Sequence, residues 1–473
     1  MAWYSFSYMP KTLKRRQFFL AVVDVILMYV SLVLALILRH GTSLTADYIF
    51  LHLTHFVPVF AIWLVTFYVL GLYRLDRTFD TNNYLVLFVV AFLTAGLLSV
   101  VYFYIKPEVV IAPKLLLVIF ATVYAVLLWF WRYFYQKLWI QTRGNRIGVG
   151  FVGFSKEVSD IIQELGRHKL LGYDARFIFA RSPTHAPTAI ATASKDEGIV
   201  MVQDIDKIRQ TVTNANVNVV VIATRRTQLS PDLLRELYGL MDLRVRFMRL
   251  PDFYEMIFRR VPIHAINESW FLENIDLQAS VPYETIKSIA DRILALVLSL
   301  ISVPFFPFIA LGIKLESKGP VFFKQERVGR NGVPFTMIKY RTMREDGNDF
   351  SPTQKDDGRI TKFGAFLRAT RIDEIPQVIN ILRGEMSFIG PRPERPDIAD
   401  QLARAIPYYQ QRHLLKPGVT GWDQVCGEYH SPSISDTQIK LQYDLYYLKH
   451  ISFTLDVSIL SKTIMTVARR RGR

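Results

Sequence analysis

The sequence predicts a membrane protein of mixed class: a four-helix transmembrane domain, a Rossmann-like α/β domain, and a C-terminal α/β domain that begins on one more apolar helix. Three observations carry this reading. Four apolar runs, each about long enough to cross a bilayer, precede residue 140. Strand-like and helix-like patterns alternate between residues 145 and 255. A fifth apolar run at 293–313 leads into a segment dense in arginine. Composition agrees. Of 473 residues, 51% are hydrophobic and only 21% charged, yet the net charge is +16. An ordinary cytosolic enzyme this basic would carry more charge and fewer long apolar runs. Such apolar content also excludes disorder for most of the chain. The one cysteine, Cys426, excludes an intrachain disulfide and a Cys-rich zinc site. So basic a chain points to a membrane, with nucleic acid as the weaker reading.

The four N-terminal runs are 17–38, 56–73, 84–105 and 115–131. Lys11, Lys14, Arg15 and Arg16 precede the first. Arg74 and Arg77 lie between the second and third, and Arg132, Lys137, Arg143 and Arg146 follow the fourth. The other loops carry only Arg39, Lys106 and Lys114. Basic residues thus alternate between rich and poor loops, which places both ends of this domain, 1–140, in the cytoplasm. The first run is too long for a signal-peptide core and is read as an anchor. Asp24 lies inside it, so a structural partner within the bundle is expected, such as an arginine near the interface.

Residues 145–255 read as a Rossmann-like domain. Strands are expected at 146–153, 175–180 and 217–223, and helices at 158–165 and 233–241. Gly148, Gly150 and Gly153 formally match G-x-G-x-x-G. The fingerprint needs its strand before the first glycine, whereas here Gly148 and Gly150 fall inside the strand and only Gly153 reaches the turn. The second strand ends at Ala180 and Arg181, with no carboxylate for a ribose. A structural or regulatory domain is therefore expected, without a dinucleotide. Tyr283 and Lys287 imitate a dehydrogenase Tyr/Lys pair, but a four-residue spacing arises easily by chance. Residues 256–285 read as a linker.

The run at 293–313 lies between Arg292 and Lys314 and has Pro304 and Pro307 in its middle. Each proline removes a backbone donor and crowds the preceding turn, so a break is expected. Freed carbonyls are costly in lipid. A broken hairpin and a fifth span both remain open on these grounds.

The C-terminal segment concentrates the chemistry. Asp373 and Glu374 are adjacent carboxylates among Arg359, Arg368, Arg371, Arg383 and Arg392. Arginines grip phosphate oxygens through paired hydrogen bonds. Carboxylates can bind Mg²⁺ together with substrate phosphates, and an aspartate can attack phosphorus. A solvated helix face laced with salt bridges is the plainer alternative. Residues 396–415 carry Leu402, Ile406, Tyr409 and Leu414 at helical spacing, which suits an interfacial helix or a core helix equally. The basic end, 469–473, suits anionic headgroups or plain solvent.

Five motifs bear a resemblance to a known family. They are GPVFFKQERVGRNG from Gly319, KYRTM from Lys339, Arg-x-x-x-x-Asp-Glu-x-Pro-Gln over 368–377, GEMSFIGPRP from Gly384 and LKPGVTGWDQV from Leu415. Together they resemble the bacterial sugar transferases, the polyprenyl-phosphate glycosyl-1-phosphate transferases of the monotopic phosphoglycosyl transferase type. The likeness covers 286–473, and the preceding domains resemble the large members that initiate capsule, exopolysaccharide or O-antigen synthesis.

The resemblance implies an enzyme at the cytoplasmic face of the bacterial inner membrane. Asp373 would attack a UDP-sugar, release UMP and pass the sugar phosphate to undecaprenyl phosphate. Glu374 would assist through Mg²⁺ or proton transfer, so that Asp373 and Glu374 are also the candidate metal ligands. Arg368 and Arg392 match phosphate-binding positions, and Lys339, Arg341 and Arg327 lie in matching motifs. The family further implies a phosphoglycosyl transferase domain at 286–473 with a re-entrant helix at 288–313, broken at Pro304 and reinforced at Pro307. The family's Ser-Pro pair is Val303-Pro304 here, with Ser302 one position early. Asp423 stands where a small residue is more common and is read as neutral. A homodimer is a further expectation, and nucleic acid is no longer needed to explain the charge. The competing readings are a membrane-anchored nucleotide-sugar dehydratase and a non-catalytic scaffold for polysaccharide assembly. The degraded glycine pattern and the long C-terminal module oppose the first, and the intact Asp373-Glu374 pair opposes the second.

Overall fold

The computed structural model describes residues 11–41, 45–73, 81–105, 114–141, 146–168, 171–180, 199–224, 229–344, 357–426 and 433–468. Arg74, Arg77, Arg143, Arg181 and the basic end at 469–473 lie outside the described residues. The chain divides into two compact units, with the boundary between Phe258 and Arg259.

The first unit opens with four long helices: α1 (Lys11–His40), α2 (Ala46–Leu70), α3 (Thr81–Ile105) and α4 (Lys114–Gln141). Their apolar parts, Gln17–His40, Ala46–Leu70, Leu87–Ile105 and Leu115–Tyr135, are long enough to cross a membrane. The second starts ten residues before the predicted 56, because His52 and His55 interrupt the apolar pattern without ending the helix. Thr45 caps its first turn, and Gly71, in the left-handed conformation, closes it. One face of each helix is buried, while side chains such as Leu38, Leu93, Leu97 and Phe130 face outward, as lipid-facing positions do. Inside, Phe56, Phe60, Trp63, Phe67, Phe120 and Tyr124 pack ring on ring, and Trp63 Nε1 donates to Ser99 Oγ at 2.9 Å. The expected partner of Asp24 is Arg132. The two meet at 2.6 Å with both side chains buried, and the Tyr73 ring lies 5.3 Å from the guanidinium.

A parallel α/β sheet follows. Its strands are β1 (Ile147–Val152), β2 (Tyr173–Phe179), β3 (Val200–Val202), β4 (Val217–Ile222) and β5 (Arg246–Arg249), in the order β3-β2-β1-β4-β5. Helices α5 (Lys156–Arg167), α6 (Ile208–Asn214), α7 (Pro231–Gly239) and α8 (Leu250–Phe258) accompany it. The sequence reading missed β3 and β5, both short and at the sheet edges. Gly148 and Gly150 do lie inside β1, and their neighbours explain them. A Cβ on Gly148 would sit 2.6 Å from the Asn216 carbonyl, and one on Gly150 would enter the Phe177 ring. Gly153 ends the strand at φ +97°, a conformation that favours glycine.

The second unit is mostly helical. Residues expected to form a linker at 256–285 are instead built into it. Val261, Ile263, Ile266 and Trp270 are buried in its main core with Tyr409, Trp422 and Leu445, and α9 (Glu268–Asn274) and the start of α10 (Leu277–Ser302) occupy the rest. The polar residues of this stretch masked its core positions. Tyr283 and Lys287 are structural as well. Both bind Asp456, at 2.7 and 2.5 Å, and Tyr447 completes the knot at 2.7 Å.

The proline break appears as one 3-10 turn, Val303–Phe305, between α10 and α11 (Phe306–Glu316). Ser302 Oγ donates to the Ser299 carbonyl at 3.0 Å just before it. Ala295, on α10, packs with Phe335, Met337 and Val378, whereas Ile313, on α11, packs with Tyr340 and Leu367. The side chains of Leu300, Val303, Phe305 and Phe308 between them are exposed.

The strands of this unit form two separate small sheets. β6 (Phe322–Val328) pairs antiparallel with β7 (Pro334–Tyr340), and β8 (Ser387–Ile389) pairs parallel with β9 (Gly418–Thr420). Around them stand α12 (Lys362–Ala369), α13 (Val378–Arg383), α14 (Pro396–Ala405), α15 (Trp422–Cys426), α16 (Ile434–His450) and α17 (Phe453–Ala468). Leu402, Ile406 and Tyr409 are buried in the core, which decides the 396–415 segment against the interfacial reading.

Candidate active site

Asp373 and Glu374 reach their positions through a sharp reversal. Thr361 caps α12, accepting from the Gly364 N–H at 2.9 Å. Gly364 lets the helix approach the segment just after β7 closely, since a Cβ there would lie 2.1 Å from the Thr342 carbonyl oxygen. After α12, Arg371 adopts φ +57° and turns the chain into a 3-10 helix, Ile372–Gln377. Both carboxylates sit in its first turn and are buried, at 8% and 7% exposure.

The strand opposite supplies Lys339. Asn380, on α13, fixes that strand, accepting from the Ile338 N–H at 3.2 Å and donating to the Thr336 carbonyl at 2.7 Å. Arg392 arrives from the Gly-Pro-Arg-Pro loop after β8, with Pro391 and Pro393 on either side of it.

The two carboxylates have different surroundings. Glu374 Oε1 gathers three cations: Arg392 at 3.3 Å, Lys339 at 3.6 Å and Arg371 at 3.6 Å. Burial pushes its carboxyl up, but Arg392, Lys339 and Arg371 outweigh that and hold it below the usual range. Asp373 Oδ1 is buried with no hydrogen-bond partner. Burial and the neighbouring Glu374 charge raise the Asp373 carboxyl, against the opposing pull of Lys339, Arg368 and Arg371. Burial, with Arg392 and Arg327 nearby, brings the Lys339 ammonium down to about 8.

The structure therefore gathers Asp373, Glu374, Lys339 and Arg392, with Arg368 close enough to act electrostatically on Asp373. Arg368 Nε donates to Thr342 Oγ1 at 2.9 Å. Arg327 props the loop carrying Arg392, donating to the Pro393 carbonyl at 3.1 Å. Arg341 lies apart from the carboxylates' partners. It donates to the Ser317 carbonyl at 2.9 Å and ties β7 to the end of α11, while its Nε and Nη1 are buried without partners. Pro304 lies in the 3-10 turn and Pro307 in the first turn of α11, and neither is in this cluster.

Two contributors were missed as site residues. Arg371 was noticed only as one arginine among several, and its left-handed backbone has no sequence signal in a non-glycine residue. Arg412 donates to the Arg392 carbonyl at 2.9 Å while paired with buried Asp444 at 2.8 Å. Nothing in its local sequence distinguished it from a surface arginine.

The donor set suits a hard divalent cation. It offers oxygen atoms alone, and one of them, Asp373 Oδ1, is buried and unbonded. Among the described residues no group of three or more His, Cys, Asp and Glu side chains forms a cage. Further ligands would come from substrate phosphates and water, the usual manner of Mg²⁺.

Comparison with known proteins identifies the family. The family described as bacterial sugar transferase matches residues 282–470. The chain is 43% identical over 175 residues to a UDP-N-acetylgalactosamine-undecaprenyl-phosphate N-acetylgalactosaminephosphotransferase of Aeromonas hydrophila, covering 36% of this chain and 41% of that protein. It is 32% identical over 326 residues to a UDP-glucose:undecaprenyl-phosphate glucose-1-phosphate transferase of Xanthomonas campestris pv. campestris, covering 67% and 65%. The protein of the same name from Caulobacter vibrioides is 39% identical over 181 residues, 38% of this chain and 68% of the relative. The chain thus spans less than two thirds of the Aeromonas and Xanthomonas relatives. Motifs, matched region and relatives agree: this chain belongs to the bacterial sugar transferase family.

Proposed function

We propose that the chain transfers a sugar 1-phosphate from a UDP-sugar to undecaprenyl phosphate, the first step in assembling an exopolysaccharide, capsule or O-antigen repeat. The observation that carries this reading is the division of labour between adjacent carboxylates. Glu374 is neutralised by three cations, whereas Asp373 keeps a buried oxygen with no partner. A desolvated carboxylate without hydrogen bonds is the more nucleophilic of the two.

Asp373 attacks the β-phosphorus of the UDP-sugar. The bond from that phosphorus to the bridging oxygen breaks, and UMP leaves with the electron pair. A phosphate oxygen of undecaprenyl phosphate then attacks the same phosphorus, breaking its bond to Asp373 and giving undecaprenyl-diphosphate sugar. Arg392, Lys339 and Arg368 face the charge that develops on the phosphoryl oxygens. Mg²⁺ on Asp373 and Glu374 would supply further neutralisation of the pyrophosphate. Asp373→Asn removes the nucleophile and is expected to abolish UMP release; full activity in that variant refutes the assignment.

The same reading places the catalytic unit at the cytoplasmic face of the inner membrane, on a re-entrant helix broken at Pro304 and Pro307. Support comes from the two arms around the break. Ala295 and Ile313 both pack into apolar clusters of the second unit, and the exposed apolar side chains lie between them. A helix that crossed the bilayer would carry its two ends to opposite faces. Single cysteines placed after residue 314 are expected to react only with reagents present in the cytoplasm. Labelling from the periplasm would mean a crossing. The order and parallel direction of β1 to β5 support a Rossmann-like middle domain, and a homodimer remains part of the proposal.

A further inference from the structure

A cavity of about 550 Å³ opens beside α10, and no partner of Asp373 or Glu374 lines it. Its α10 wall carries Glu284, Ser288, Asp291 and Arg292. Facing them are Arg330, from the turn between β6 and β7, and Lys416, from the segment before β9.

The charges are unevenly matched. Arg330 pairs with Glu284 at 3.0 Å, and Asp291 accepts from Ser387 at 2.7 Å. Lys287, also in the wall, is held by Asp456. That leaves two cations. Lys416 donates to the Ser288 hydroxyl at 3.3 Å, and the Asp291 and Glu284 carboxylates act on it through space and not as a direct ion pair. Arg292 is exposed. Both reach the same spot: their terminal nitrogens lie 3.3 and 3.9 Å from where a Cβ on Gly384 would stand, which puts them within about 7 Å of each other. Burial lowers the Lys416 ammonium, and the nearby Arg292 and Arg330 charges lower it further, against the opposing pull of Asp291 and Glu284.

A phosphate held by two charge-assisted hydrogen bonds of about 2.8 Å can bridge donors that lie within this limit. The location adds the second half of the ligand. Arg292 is the last charge before the apolar run 293–313, and Ile289 and Ile293 are 52% and 60% exposed on the same helix. The cavity therefore sits where polar headgroups meet hydrocarbon.

We propose that this cavity binds the phosphate of an anionic membrane glycerophospholipid, with Arg292 and Lys416 on its oxygens and the acyl chains along Ile289 and Ile293. The bound lipid takes no part in the transfer chemistry.

Native mass spectrometry tests this on the full chain released from nanodiscs of phosphatidylcholine containing a minor fraction of phosphatidylglycerol. Retained phosphatidylglycerol is expected to exceed its share in the bilayer by about tenfold, given two cations at headgroup depth. Arg292→Gln and Lys416→Gln should each remove most of that excess, and Lys416→Arg should keep it. Arg292 is exposed, so Arg292→Gln decides the matter even if Lys416→Gln does not fold. Equal retention in the wild type and Arg292→Gln overturns the proposal. Displacement of the lipid by inorganic phosphate overturns it in favour of a free-anion site. One-for-one displacement by undecaprenyl phosphate overturns it in favour of an acceptor site.

Discussion

Arg412 touches neither candidate carboxylate, yet it holds the loop that delivers Arg392. Its guanidinium pairs with Asp444 at 2.8 Å and donates to the Tyr409 hydroxyl and the Arg392 carbonyl, each at 2.9 Å. Arg412 and Asp444 are 4% and 2% exposed, so water replaces none of these bonds. Arg412→Met leaves a buried carboxylate without its cation, and breaking a buried pair from one side costs about 3–5 kcal/mol. For a folding unit of this size that is roughly a 10 °C fall in Tm. Adding Asp444→Leu removes the stranded charge, so the double variant should recover most of the lost stability. It does not restore the donor to the Arg392 carbonyl. UMP release in the double variant should therefore stay about tenfold or more below the wild type, because misplacing one charged group costs that much. Thermal unfolding in detergent and UMP release, measured on both variants, separate the two effects. If activity returns together with stability, Arg412 is a core ion pair only and does not position Arg392.

Two further outcomes follow from buried charge. Lys339 is protonated below about pH 8 and neutral above it, its ammonium having been lowered from the ordinary lysine range, so UMP release should fall as pH rises through about 8. Lys339→Arg does not titrate there, and its pH profile should lose that alkaline limb; an unchanged limb refutes the role of Lys339. In the helical bundle, Arg132→Met strands Asp24 and should destabilise the first unit by about 3–5 kcal/mol in a denaturant titration, while Arg132→Met with Asp24→Leu recovers most of it. A double variant no better than the single would show that the pair is not the source.

What could be read from the sequence was whatever depends on pattern over many residues. The four long apolar helices, the need of Asp24 for an arginine, the placement of Gly148 and Gly150 inside a strand, and the 3-10 turn at Pro304 all follow from periodicity, charge spacing or backbone chemistry. What could not be read depended on distant contacts. Residues 256–285 look polar enough for a linker, yet Val261, Ile263 and Trp270 enter a core built largely from residues after 388. Leu402, Ile406 and Tyr409 offered an apolar face with no indication of what would cover it. Asp456 shows no local reason to collect Tyr283, Lys287 and Tyr447 from as far as 173 positions away. In the site itself, the motifs brought Asp373, Glu374, Lys339 and Arg392 to notice. They did not tell Arg341, which ties β7 to α11, from the arginines that face the carboxylates.

The 3-10 helix explains why two neighbouring carboxylates end in such different places. In that geometry successive side chains diverge by about a third of a turn, so the two acids meet different sets of close neighbours. Glu374 is turned toward Lys339, Arg371 and Arg392 and becomes the fixed anion that keeps three cations together before any substrate arrives. Without it, those cations would repel one another in a buried space. Asp373 feels their field without a hydrogen bond to its Oδ1, and its carboxyl is raised by burial first and by the Glu374 charge second. A Glu374→Gln variant would then act on Asp373 indirectly. It lowers the Asp373 carboxyl, lowers the Lys339 ammonium further, and disperses the cations. Its loss of activity should accordingly come with a shifted pH profile, whereas the loss in Asp373→Asn should hold at every pH.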